Sequence, residues 1–152
     1  MSQKFEEYKK ALDTHHQFIN SLRKDVEKII EQRGLHPLMN DTKWLELQEA
    51  VSHLPFPPAY IVKCLTDKDD SVAGILGQLP DYHGNWSAFY EEGLPPFFNI
   101  EWIQVSTVYG IHRGKLVSPE ILDETTEFTG ILERFSIPYE ADKSHFTIYG
   151  YQ

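Results

Sequence analysis

Between Phe5 and Ile29, apolar or ring side chains recur every three or four residues, at Phe5, Tyr8, Leu12, His15, Ile19, Leu22, Val26 and Ile29. Such spacing places all eight on one side of a helix, with His15 the one polar member of the seam. Residues 3–33 contain neither Gly nor Pro, and Gly34 follows as a C-cap residue would. The pattern predicts one long helix over 3–33, with Thr14-His15-His16 as the place where it would break. Unbroken, it would be about 45 Å long, more than a compact domain of this size needs. Two placements satisfy the pattern. The helix projects and pairs with a second copy, giving a homodimer through residues 3–33. Or one or two helices fold back on the sheet, with His15 semi-buried in the seam.

Asn40-Asp41-Thr42 precedes Trp44, Leu45, Leu47, Ala50, Val51 and Leu54, which predicts a second, shorter helix with a capping residue at its start. Pro55, Pro57 and Pro58 end it. Residues 59–65, AYIVKCL, are apolar on both alternating sets and suit a strand covered on both faces. Residues 66–96 then form a long irregular connection rich in Gly, Pro and Asp, a length that points to function or mobility.

From Phe97 to Tyr109 the aromatic and β-branched content predicts a strand. Phe98, Ile100 and Trp102 would share one face, and Asn99 and Glu101 the other. The alternation changes phase after Trp102, which calls for a bulge near Trp102-Ile103 or for cover on both faces. His112-Arg113-Gly114-Lys115 reads as a turn, Leu116-Val117 as the start of a return strand, and Ser118-Pro119 as the cap of a helical turn. A helix over about 123–135 and a final strand over 145–151 follow. The predicted architecture is α+β, a mainly antiparallel sheet of about four strands packed with helices. A helical segment over 1–34 precedes a single α+β domain over 35–152.

Composition changes the picture in one respect, which is charge. Residues 1–40 carry seven Lys/Arg against six Asp/Glu, while residues 41–152 carry seven against seventeen, a balance of −10. That surface repels phosphate backbones and anionic lipid, which argues against nucleic-acid and membrane partners, and it attracts a basic protein. The one cysteine, Cys64, fits a reducing compartment. The opening MSQKFEEYKK lacks the apolar core of a signal peptide, so the expected location is cytoplasmic.

Catalytic motifs are scarce. The sequence has no H-E-x-x-H, C-x-x-C, G-x-S-x-G or phosphate loop, and none of its seven histidines pairs at i, i+4. No metal or other cofactor is expected. Asp81-x-His83 has nothing nearby to complete a metal shell. Cys64, inside an apolar strand, reads as an inert thiol. Glu101 with Glu91 or Glu92 would make an acid pair, against the plainer reading in which Glu101 pairs with Lys63 or Arg113. Trp86, Phe89, Tyr90, Glu91, Glu92, Asn99 and Glu101 together make the candidate partner-binding set, as aromatics and acids beside one strand, while the aromatics of this loop serve equally as a lid over the core.

Several motifs in a fixed order carry a resemblance. They are Leu38-Met39-Asn40-Asp41-Thr42-Lys43-Trp44, Phe56-Pro57-Pro58, the run EGLPPFFNIEWI over 92–103, and His112-Arg113-Gly114-Lys115-Leu116. Ile121-Leu122-Asp123-Glu124-Thr125, Ile137-Pro138-Tyr139-Glu140 and Ile148-Tyr149-Gly150-Tyr151 complete the series. Over about residues 25–151 the chain resembles an uncharacterised bacterial family of small cytoplasmic proteins, a domain of unknown function. The resemblance implies a compartment and a bacterial setting, and supplies no catalytic residues to carry over.

Three functions follow as expectations. The first is a non-enzymatic acidic binding protein, with an immunity or antitoxin-like inhibitor of a basic partner as its sharpest form. The second is a small hydrolase or transferase using Glu101, Glu91 or Glu92 and His83. The third is a structural dimer held by the N-terminal helix.

Overall fold

The apolar seam of residues 3–33 forms two helices rather than one, α1 (Ser2–Thr14) and α2 (His16–Arg33). The structure is a computed structural model and describes residues 2–68, 80, 83–87, 93–111, 113, 114, 116–142 and 145–152. The break falls at His15, whose φ of −117° and ψ of 42° leave the helical region. His15 is exposed, not semi-buried in the seam, because at the bend the residue between the helices lies off both apolar faces. Gly34 takes the left-handed conformation at φ 65° and closes α2.

The helices fold back on the body. Tyr8, Leu12, Ile19 and Val26 are buried, and the first three belong to the same apolar cluster as Val51, Ile103 and Ile148. Tyr8 stacks on Phe97 with ring centroids 4.5 Å apart, and its hydroxyl accepts the Phe97 N–H at 3.0 Å. These four members of the seam thus pack inside their own chain.

Helix α3 (Asp41–Ser52) begins as its sequence requires, with the Asn40 side chain accepting the Lys43 N–H at 2.8 Å. It buries Trp44, Leu45, Leu47 and Val51. Four strands form an antiparallel sheet in the order β1-β2-β6-β5: β1 (Ala59–Cys64), β2 (Ile100–Ser106), β5 (Glu140–Asp142) and β6 (His145–Tyr149). The register aligns Tyr60 with Val105 and Phe146, and Val62 with Ile103 and Ile148, which makes one apolar face. Helix α4 (Thr125–Arg134) packs on it through Phe128, edge-on to Phe146 at 5.1 Å. A separate two-stranded ribbon, β3 (Val108–Ile111) with β4 (Glu120–Asp123), follows β2.

Several local expectations need correction. Phe97–Asn99 is a 3₁₀ turn, not the start of the strand. The bulge exists but lies at Glu101: Lys63 faces Trp102 while Cys64 faces Ile100, so Glu101 is the extra residue. Ile100 therefore joins Ile103 and Val105 in the core, and Trp102 turns to the opposite face beside Lys63 and Tyr149. Leu116-Val117 does not start the return strand, which begins at Glu120, and Ser118-Pro119 leads into it without a helical turn. Strand β5 has no counterpart in the sequence pattern.

Candidate functional site

Glu101 is the residue on which the sequence concentrated its catalytic alternative. The bulge pushes its carboxylate out of the ladder, where two cations from different elements close on it. Lys63, in β1, donates to Oε1 at 2.7 Å, and Arg33, in the last turn of α2, donates to Oε1 at 2.9 Å and to Oε2 at 3.0 Å. The two-pronged Arg33 contact has the fork geometry that matches guanidinium to carboxylate. Lys63 is buried with 5% of its side chain exposed, Glu101 retains 14% and Arg33 39%.

The Arg33 hydrogen bonds first, with Lys63 adding, hold the Glu101 carboxyl below the ordinary glutamate range despite its partial burial. A carboxylate with both oxygens engaged and its ionised form favoured is a poor proton donor or acceptor near neutral pH. The arrangement is a clamp that ties α2 to the sheet.

Asn99 is equally committed. Only 5% of it is exposed, and its side chain accepts the Thr66 N–H at 3.3 Å and donates to Thr66 Oγ1 at 3.0 Å. Trp86 is buried, with its indole N–H donating to the Pro58 carbonyl at 2.8 Å and its ring edge-on to Tyr60 at 5.0 Å. It covers the core and offers no anchor to a partner in this conformation. Phe89, Tyr90, Glu91 and Glu92 lie outside the described residues. Asn99 and Glu101 are therefore near neighbours on the chain, each closed by its own internal contacts.

His83 is exposed and packs on Tyr109 and Phe56, with ring centroids 4.8 and 5.8 Å away. Glu124 accepts the Phe56 N–H at 3.3 Å in the same cluster, and partial burial raises its carboxyl above the ordinary range against the pull of that bond and of His83. The rings touch one another and leave no room for a ligand between them. Asp81, the other half of the Asp81-x-His83 pair, lies outside the described residues. Burial first, then Asp67, pushes the half-buried Cys64 thiol up to about 12, so it stays protonated and unreactive near neutral pH.

Among the described residues, two surfaces open to other molecules stand out by volume and by apolar exposure. Between α3 and α4 runs a groove of about 510 Å³ with Leu45, Ala50, Ile131 and Phe135 as its apolar part. Glu46, Glu49, His53 and Arg134 supply its polar groups. The second is the β3–β4 ribbon, where Leu116 is fully exposed, Ile121 61% and Val117 51%. No sequence expectation pointed to either. At the ribbon the sequence offered only Leu116-Val117 as the start of a return strand, not as a surface. Among the described residues, no helix is long and apolar enough to cross a membrane.

No curated protein and no solved structure matches the chain. A family model does match, over residues 26–152, a span that holds all three members of the clamp and begins within α2. The chain belongs to that family, a family of unknown function designated DUF6678.

Proposed function

We propose that the protein is a non-enzymatic binding protein for a basic protein partner. The observation that carries this reading is the balance of −10 over residues 41–152. Glu120, Asp123, Glu127, Glu133, Glu140 and Asp142 are all exposed there. Such a field speeds the encounter with a positively charged surface and disfavours phosphate backbones. The described chemistry supports the same direction, since Glu101 is clamped and Cys64 is protonated. In its sharpest form the partner is a basic toxin, and binding inhibits it as an immunity or antitoxin protein would.

The test is retention from a lysate of the native host on the immobilised full chain at low salt, followed by a salt gradient and mass spectrometry. A basic protein should be retained and should elute early in the gradient, because screening weakens the attraction. Retention of neutral or acidic proteins alone would overturn the reading. The inhibitor form further requires that co-expression relieve the toxicity of that basic protein.

A further inference from the structure

We infer that the outer edge of β4 is a strand-addition site for a basic, extended segment of a protein partner. The inference rests on the binding reading above and specifies the partner's segment and its backbone conformation. The Gly110 N–H donates to the Pro80 carbonyl at 2.8 Å, so it points away from β4. Gly110 and Ile121 are opposite one another, and they therefore form a non-hydrogen-bonded pair. The N–H and C=O of Ile121 then point away from β3, and by alternation so do those of Asp123. Among the described residues, no backbone–backbone bond from outside the ribbon reaches either residue. The edge of β3 is met by Pro80, whereas the edge of β4 is open among the described residues.

Side chains make the open edge more than a backbone feature. The described residues include four exposed large apolar side chains, and three of them, Leu116, Val117 and Ile121, fall within this one hairpin. Scattered apolar residues on a surface need no explanation, but one in the open strand with two more in the loop that leads into it do. A two-stranded ribbon is marginal in water, and a third strand would complete it.

Charge selects the occupant. From Leu116 to Glu133 the chain holds five acids, Glu120, Asp123, Glu124, Glu127 and Glu133, and no Lys or Arg. Pairing of two copies about Leu122 would set Glu120 against Glu124 and Ile121 against Asp123. Like charges directly opposed disfavour that arrangement. An incoming strand that alternates cationic and apolar residues would set a cation against Glu120 on one face and an apolar side chain beside Ile121 on the other.

The probe is a synthetic peptide about ten residues long that alternates Lys and Val, titrated at low salt against the full chain. The same peptide N-methylated along one edge and an alternating Glu–Val peptide serve as comparisons. The Lys–Val peptide should bind, its N-methylated form about tenfold more weakly, and the Glu–Val peptide not at all. Ile121→Pro should also weaken binding about tenfold, since it removes one outward N–H while leaving the ladder to β3 intact.

Equal binding by Ile121→Pro and wild type, or by the two Lys–Val peptides, overturns the edge site and leaves the acidic binding reading standing. If Ile121→Pro fails to fold, the N-methylated peptide on wild type decides alone. No binding of the Lys–Val peptide overturns the edge site. Joined to failure to retain any basic protein, it overturns the binding reading as well. A wild-type dimer by light scattering that Ile121→Pro turns into a monomer would assign the edge to a second copy and overturn the inference.

Discussion

Strand β2 leads to two regions in which the chain treats its side chains in opposite ways. At its entry, Glu101 leaves the ladder at a bulge, and Lys63 and Arg33 take both of its oxygens. Past its exit, Thr107 leads into the β3–β4 hairpin, where Ile121 in the open strand and Leu116 and Val117 in the connecting loop face water. The polar groups, which are costly to bury, are fully engaged. The apolar groups, each able to contribute about 1.5–3 kcal/mol if buried, are left outside. Folding stability accounts for the first region and does not account for the second. The clamp holds the scaffold, and the ribbon is where contact with another molecule is available.

The largest test of this contrast is Glu101→Gln. It removes the carboxylate that faces both the buried Lys63 ammonium and the Arg33 guanidinium, and removing one member of a buried pair costs about 3–5 kcal/mol. Because Arg33 is 39% exposed, the expected loss lies at the lower end, about 3 kcal/mol in urea unfolding. A loss below about 0.5 kcal/mol would place the clamp among ordinary surface pairs.

Acid titration sharpens the same point. Because folding lowers the Glu101 pKa, its contribution is present above the unfolded pKa and is lost as pH falls through the lower folded value. The acid limb of the stability curve should therefore be shallower in Glu101→Gln than in wild type. Curves of equal slope would contradict the assigned shift.

Asn99→Ala should cost less, about 1–2 kcal/mol, since it strips Thr66 of two hydrogen bonds at a position partly open to water. The smallest effect belongs to the ribbon. Leu116→Ser and Ile121→Thr should each change stability by no more than about 0.5 kcal/mol. A loss above about 1.5 kcal/mol in either would mean that the exposed side chain contributes to folding and would erase the contrast.

Much of this architecture was legible in the residues. The apolar seam, the Asn40 cap and the antiparallel α+β class followed from spacing, and Lys63 was one of the two cations that charge offered to Glu101. The errors share a physical origin, which is that tertiary contacts overrode local propensity. Phe97–Asn99 carries strand-forming aromatics, yet Tyr8 captures Phe97 and the segment turns. Arg33 is 68 residues from Glu101, a separation at which no periodicity reveals a contact. Glu140-Ala141-Asp142 has little strand propensity and pairs only because β6 lies beside it. For Trp86 the sequence left an interface anchor and a lid over the core level, since it cannot show that Pro58 offers its N–H a buried carbonyl. The open edge of β4 was unreadable for a related reason, since edges depend on which strands pair.

Amide hydrogen exchange on the full chain compares the two regions in one measurement. In the free protein, the Ile121 and Asp123 amides should exchange rapidly while those of Ile103 and Val105 in β2 stay protected, and adding the Lys–Val peptide should slow exchange at Ile121 and Asp123. Strong protection of those two amides in the free protein, or no change when the peptide is added, would contradict the assignment of the ribbon as the contact surface.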